Sequence, residues 1–339
     1  MNIKLKSKIL LLAATSLIAG LCLHSCSSPL QLTKGQKETI SPQAQQFLEK
    51  TKLVKLPLIG FSEAITSRLN EKLTKDTALL QYKAQFAVST SNDTIGGIPV
   101  VTVTPAKILN ENVVGYYVHG GGFIFGNIAD YLAMSLASRL GIPIICVDYQ
   151  FSPKVKYPVA VNECYGAYQA LTVRYPQKKL LVIGASAGGN LAMTTILKAR
   201  DNGAPLPVAA VLYTPWTDLT GAGDSYVSNT GRDVLAWKGS LEKMMKAYTD
   251  KGTNLKDPLV SPIYADYSKG FPPTIITTGT RDIFLSNCVR LNRILKDNNI
   301  TSYLTVYEGM WHGFNGMPDM PEADKCNDEV DLFLKDYIK

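Results

Sequence analysis

Six short apolar runs, at residues 113–118, 144–148, 180–184, 208–213, 274–278 and 303–307, recur along the chain with stretches of helical period between them. Continuously apolar runs of this length suit strands buried on both faces, and their alternation with helices is the pattern of a largely parallel sheet covered on both sides. The interval at residues 217–270 breaks the rhythm. It holds a helical segment, Leu241 to Tyr248, but little strand character, so it reads as an insertion over the sheet. Upstream, Phe86-Ala87-Val88, a turn region with Asn92-Asp93 and Gly96-Gly97, and the run from Ile98 to Thr104 predict a strand hairpin. Before it, Ser41-Pro42 and Ser62 open two helices, the second with Ile65, Leu69 and Leu73 on one face. A 339-residue chain that is 46% hydrophobic and 19% charged can fill the core this implies. Disordered, collagen-like and disulfide-scaffold classes are excluded.

The first 25 residues read as an export signal. Lys4, Lys6 and Lys8 precede an apolar stretch that reaches Leu23 and is interrupted by Thr15, Ser16 and Gly20. Leu23-His24-Ser25-Cys26 resembles a lipobox, which makes Cys26 the expected lipidated residue and residues 26–40 a polar tether. The leader lysines supply three of the seven net positive charges, and the remainder is scattered, so nucleic acid is not an expected partner. A membrane enters only through the lipid anchor. Beyond Cys26 lie Cys146, Cys164, Cys288 and Cys326, whose spacing has no metal-site form, and no metal is expected. Cys146 falls inside a strand run and reads as a buried thiol.

The chemistry concentrates at the ends of the strand runs. Gly184-Ala185-Ser186-Ala187-Gly188 follows one run directly and precedes a helical stretch, the context of a nucleophile elbow. His119-Gly120-Gly121-Gly122 follows another run, and consecutive glycines let main-chain amides approach a ligand closely. The amides of Gly121, Gly122 and Ala187 are therefore candidates for an oxyanion hole, with His119 and Gly120 supporting the loop. Only three histidines exist, His24, His119 and His312, and His312 sits in a loop after the last run, which leaves it as the general base for Ser186. Asp282, after the run at 274–278, is the expected orienting acid in the order Ser, Asp, His. Asp257 and Asp266 compete from within the insertion, and Glu308 competes from His312's own loop.

In these motifs the chain resembles the hormone-sensitive-lipase-like branch of the α/β-hydrolases, the bacterial carboxylesterases and lactone hydrolases with a glycine-rich loop. The resemblance runs from about residue 85 to the C-terminus. It implies an α/β-hydrolase fold at residues 85–339, a mostly parallel sheet with helices on both faces. It also implies a helical cap built from residues 41–84 and the insertion 217–270. Asp148-Tyr149-Gln150-Phe151-Ser152-Pro153 is similar to the family segment that supports the oxyanion loop, so Asp148 joins the expected support. Ala185, Gln150 and Lys154 depart from the family's aspartate, arginine and glutamate.

The activity implied is hydrolysis of small carboxylic esters through an acyl-enzyme, with no cofactor. Lactone hydrolysis, carbohydrate deacetylation, peptidase or amidase activity, and ligand binding without turnover remain as alternatives. Phe123, Tyr149, Trp216 and Trp311 are candidate walls for a small ester or lactone substrate.

Overall fold

The computed structural model describes residues 32–51, 61–75, 77–234 and 239–339. The leader, Cys26, Phe47's downstream neighbours at 52–60 and residues 235–238 lie outside the described residues. Eight strands form one sheet: β1 (Val88–Ile95), β2 (Ile98–Pro105), β3 (Val113–Val118), β4 (Ile144–Val147), β5 (Lys179–Ala185), β6 (Ala209–Tyr213), β7 (Thr274–Gly279) and β8 (Ser302–Tyr307). Their order is β1-β2-β4-β3-β5-β6-β7-β8. The β1–β2 hairpin and the β2–β4 pair are antiparallel. Every pair from β4 to β8 is parallel.

Side chains alternate across this sheet and divide the core into two layers. Tyr116 and Val118 of β3, Val182 of β5, Leu212 of β6 and Ile276 of β7 face one layer. There they meet α6 (Val159–Arg174), α7 (Ala187–Asp201) and α10 (Leu285–Asp297). Tyr117, Ile183, Val211 and Ile275 face the other, packed with α5 (Tyr131–Leu140) and α11 (Pro321–Leu334). The central strands β3, β4 and β6 are apolar throughout because both faces are covered, whereas β1 is largely exposed and polar. The four residues Cys146, Cys164, Cys288 and Cys326 are all buried free thiols.

The remaining helices lie over the carboxyl edge or against its loops. They are α1 (Lys34–Glu38), α2 (Pro42–Lys50), α3 (Glu63–Thr74), α4 (Ala78–Gln85), α8 (Ser225–Ser228) and α9 (Ser240–Tyr248). Ser41 and Ser62 cap α2 and α3 as their positions imply, each accepting from a backbone amide three residues on. Of the expected tether, residues 26–31 lie outside the described residues, and residues 32–40 include a short helix. Thr33 and Gln36 form a reciprocal capping box that nucleates α1, and Ile40 is buried against the body. At the far end of the expected insertion, Val260, Ser261, Ile263 and Tyr267 are buried in the core. Asn190 of α7 donates to the carbonyls of Trp216 and Val260, tying both ends of the insertion to the sheet. Among the described residues no helix is long and apolar enough to cross a membrane.

Helix α7 lies close to the sheet because two glycines, Gly184 and Gly188, remove the side chains that would hold it off. A Cβ at Gly188 would collide with the backbone carbonyls of Val118 and His119, and one at Gly184 with the carbonyl of Gly188. Backbone cannot swing aside as a side chain can. Gly188→Ala should therefore lower the urea midpoint by the equivalent of about 1–3 kcal/mol and disturb the end of β3; an unchanged midpoint would show that the contact tolerates a methyl group.

Candidate active site

Ser186 sits between β5 and α7 with φ 56 and ψ −121, a left-handed conformation that costs a non-glycine residue about 1–3 kcal/mol. The surroundings over-determine it. Its amide donates to Tyr213 O of β6 at 2.9 Å, and its carbonyl accepts from Trp216 N at 3.0 Å and Gly189 N at 2.9 Å. The hydroxyl is thereby lifted to the carboxyl edge of the sheet at the N-terminus of α7, where the helix dipole favours negative charge. Ser186 stays half-buried, open enough to meet a ligand.

His312 and Asp282 complete a hydrogen-bonded chain. Nε2 of His312 is 2.8 Å from Ser186 Oγ, and Nδ1 is 3.0 Å from Asp282 Oδ1. A carboxylate can only accept, so Nδ1 carries the proton and Nε2 presents its lone pair to the serine hydroxyl. Asp282 is buried and fully used: Oδ1 also accepts from Phe284 N at 2.9 Å, and Oδ2 from Thr278 Oγ1 at 2.7 Å. The competing acids lie elsewhere. Asp257 accepts from Tyr157 OH and Leu259 N, Asp266 caps the turn at Tyr267–Lys269, and the charge of Glu308 faces Arg281.

The glycine loop faces Ser186 from the end of β3. A Cβ at Gly120 would meet Ser186 Cβ, which measures how near the loop backbone comes. Gly121 and Gly122 take φ 118 and 63, so their amides turn away from ladder positions. Among the described residues no acceptor is bonded to the amides of Gly121, Gly122 or Ala187. His119 is buried, stacked on Tyr149 at 4.5 Å, with Nδ1 2.8 Å from Gly120 O. Burial drops its pKa to about 4, so it is neutral and structural. Tyr149 OH donates to His119 O and Ser152 N to Phe123 O. The segment at 148–153 supports the loop through these two hydrogen bonds and through the ring of Phe151, edge-on to His119 at 5.5 Å; among the described residues the Asp148 side chain bonds to none of it. The Asp148 carboxyl is instead pushed up, by burial first and then by Glu163.

The four aromatic wall candidates separate. Phe123 stacks on Tyr248 of α9 at 3.8 Å and lies 5.6 Å from Trp216. Trp216 stacks on Phe284 at 5.3 Å, and Phe284 meets the His312 ring edge-on at 4.9 Å. Tyr149 stands behind the loop. Trp311 belongs to the opposite core layer, stacked on Phe47 of α2 at 4.3 Å, because neighbouring residues of the loop point opposite ways. Phe284, Thr278 and Tyr248 were not legible as site residues: each is an ordinary apolar or hydroxyl residue in an ordinary pattern. Only the position of Phe284, two residues after Asp282, carried any signal.

Burial pulls the His312 pKa down, but the charge of Asp282, its hydrogen bond and the charge of Asp233 together leave it raised. The two consequences run in opposite directions. Stability from the protonated ring is fully present below its unfolded value of about 6.5 and is lost as pH rises through the folded value. Base function appears only above that folded value. An NMR titration of His312, assigned by its loss in His312→Gln, should give a midpoint above about 6.5; a lower one would mean that burial outweighs the carboxylates.

Residues 116–316 match the model of the alpha/beta hydrolase fold family. The chain is 29% identical over 248 residues to an acetyl-hydrolase of Streptomyces hygroscopicus, covering 71% of this chain and 81% of that one. Among solved structures it is similar to the esterase E25, with a TM-score of 0.80, 28% identity, and coverage of 94% and 99% of the two chains. A hormone-sensitive lipase from a metagenome library superposes with a TM-score of 0.70 at 28% identity, covering 81% of this chain and 97% of that one. Motifs, topology and likeness agree, and the chain belongs to the alpha/beta hydrolase fold family, in its hormone-sensitive-lipase-like carboxylesterase branch.

Proposed function

We propose that this chain hydrolyses small carboxylic esters through an acyl-enzyme formed on Ser186. The observation that carries the reading is the chain from Ser186 Oγ through His312 to Asp282, at 2.8 and 3.0 Å, beside a glycine loop with free amides. Relatives and structural neighbours with esterase and acetyl-hydrolase names support the reaction class.

The Ser186 hydroxyl proton passes to His312 Nε2 as Oγ attacks the ester carbonyl carbon. Negative charge gathers on the carbonyl oxygen, facing the amides of Gly121, Gly122 and Ala187 at the N-terminus of α7. Asp282 holds the imidazolium and fixes its tautomer. Collapse breaks the bond to the alcohol oxygen, which leaves with the proton from Nε2. A water molecule then gives its proton to Nε2 and attacks the acyl carbon. The acid departs as Oγ recovers its proton.

The run of ring contacts from Tyr248 through Phe123, Trp216 and Phe284 to His312 makes a fixed apolar wall on one side of the serine. Stacked rings do not part readily for a long chain, which favours short acyl groups. In a p-nitrophenyl ester series, kcat/KM should be highest for acyl chains of about two to six carbons, since a further methylene adds about 1–3 kcal/mol only where room exists. The Ser186→Ala control should lose several orders of magnitude in turnover. A preference for chains of about twelve carbons would mean that the wall does not bound the acyl site, and wild-type turnover in the control would remove Ser186 from the mechanism.

Export with a lipid on Cys26 belongs to the same proposal, supported by the leader's lysines, its apolar stretch and the Leu23-His24-Ser25-Cys26 ending. Cys26→Ser should release the protein from the membrane fraction or block its maturation. An unmodified mature N-terminus at another residue, read by mass spectrometry, would reject the anchor.

A further inference from the structure

At the carboxyl edge of the sheet, Ala185 of β5, Tyr213 of β6 and Thr277 of β7 stand side by side in register. Ser186 follows Ala185 directly, and Thr278, which donates to Asp282 Oδ2, follows Thr277. On the face opposite α7, Tyr213 packs in the layer of α11 and of the turn at Phe314–Gly316, which continues the loop of His312. Asn327 of α11 joins these parts. Its Oδ1 accepts from Tyr213 OH at 3.0 Å, and its Nδ2 donates to Asn315 O at 3.1 Å. Because Tyr213 O accepts from Ser186 N at 2.9 Å, the bonds run from the elbow through one tyrosine and one asparagine to the turn behind His312. A branch reaches the acid: Asn315 Nδ2 donates to Thr277 Oγ1 at 2.9 Å and to Cys326 Sγ at 3.1 Å.

Tyr213, Thr277, Asn315 and Asn327 are all buried, in a layer otherwise built from apolar side chains such as Phe314, Val330 and Leu334. Asn315 Oδ1 has no hydrogen-bond partner among the described residues. A buried polar network with an oxygen left unpaired adds little stability, but its directional bonds fix distances that apolar packing leaves free. We propose that Asn327 is a positioning residue for the hydrolytic reaction. It sets the separation of His312 Nε2 from Ser186 Oγ by tying the turn behind the histidine to the strand that holds the serine's amide. The proposal rests on the reading of Ser186 as nucleophile and His312 as base.

The amide suits this position because it must accept on the side of β6 and donate on the side of the loop. A carboxylate has no donor for Asn315 O, and an aliphatic side chain has neither group. Proton transfer between Oγ and Nε2 depends steeply on their separation, and a misplacement of about 1 Å can cost about a hundredfold in rate. Substrate binding does not depend on this brace. The aromatic wall of Phe123, Trp216, Tyr248 and Phe284 belongs to the opposite core layer, so the effect of losing Asn327 falls on kcat rather than KM.

The test measures kcat and KM for a short-chain p-nitrophenyl ester, and the second-order rate at which a fluorophosphonate labels Ser186. The proteins are wild type, Asn327→Leu, Tyr213→Phe, the double variant and Ser186→Ala, each kept below its melting range. Asn327→Leu should reduce kcat about ten- to hundredfold with KM within about twofold, and the labelling rate should fall with kcat. Tyr213→Phe should reduce kcat about three- to tenfold, since Asn327 keeps its bond to Asn315. The double variant should match Asn327→Leu within about twofold, because both changes break one link. A bond that served stability alone would lower the melting temperature and leave kcat unchanged. A kcat within about twofold of wild type in folded Asn327→Leu overturns the proposal. Should that variant not fold, Tyr213→Phe decides, since it deletes one hydroxyl and keeps the ring and the bond from Ser186 N. An unchanged kcat there overturns the proposal, and a fall with KM retained supports it. If Ser186→Ala kept wild-type turnover, the underlying mechanism would have failed; with Ser186→Ala inactive and the other variants at wild-type kcat, only the role of Asn327 has failed.

Discussion

The contact between α7 and the end of β3 is the constraint on which the site depends. Gly184 and Gly188 lack side chains where any Cβ would strike backbone, and this lets the elbow close against the strand that leads into the glycine loop. Ser186 is then squeezed into its positive φ, held by Tyr213 O on one side and by Trp216 N and Gly189 N on the other. The parallel sheet supplies the rest. The parallel strands β3, β5 and β7 all deliver their following loops to the same edge, so the glycine loop, Ser186 and Asp282 meet there although they lie far apart in sequence.

The cap has a second role besides covering that edge, since each reactive loop is held by a different part of it. Asn70 of α3 accepts from Gly126 N and donates to Ile124 O, fixing the far side of the glycine loop, while Tyr248 of α9 stacks on Phe123 from the other. Phe47 of α2 stacks on Trp311, beside His312, a contact of about 0.5–1.5 kcal/mol beyond its buried area. Ser225, Asn229 and Asp233 hold the acid loop. The helices outside the sheet thus fix the positions of the loops that carry Ser186's neighbours, Asp282 and His312.

What was legible in the sequence follows from how local each signal is. Short β-rich runs declare themselves locally, so β3 coincides with residues 113–118 and the ends of the other five runs lie within one residue of those observed. Ser186, Asp282 and His312 stood out because a motif, a scarcity of histidine and a fixed order each act on residue identity alone. Contacts between distant segments left no such trace. Nothing periodic marks Asp233 as the partner of a residue fifty positions later, and nothing in a tryptophan beside a histidine tells which face of the sheet it will join. The polarity of residues 32–40 hides a short helix, since five residues need only a capping box to begin and one buried isoleucine to dock.

The departures from the family pattern alter how the glycine loop is supported. Gln150, standing for an arginine, bonds through its amide and side chain to Glu163 on the exposed side of the segment, and Lys154 points to solvent. No charged pair among these residues reaches the loop. Its support is instead neutral: the His119 ring lies on Tyr149 and against the edge of Phe151, and the Tyr149 hydroxyl holds His119 O. Burial keeps His119 at about 4, well below the range in which His312 changes charge. The contacts that hold the glycine loop thus neither titrate with His312 nor weaken with salt. Under the proposed mechanism, that separation lets His312 change its protonation without disturbing the loop amides.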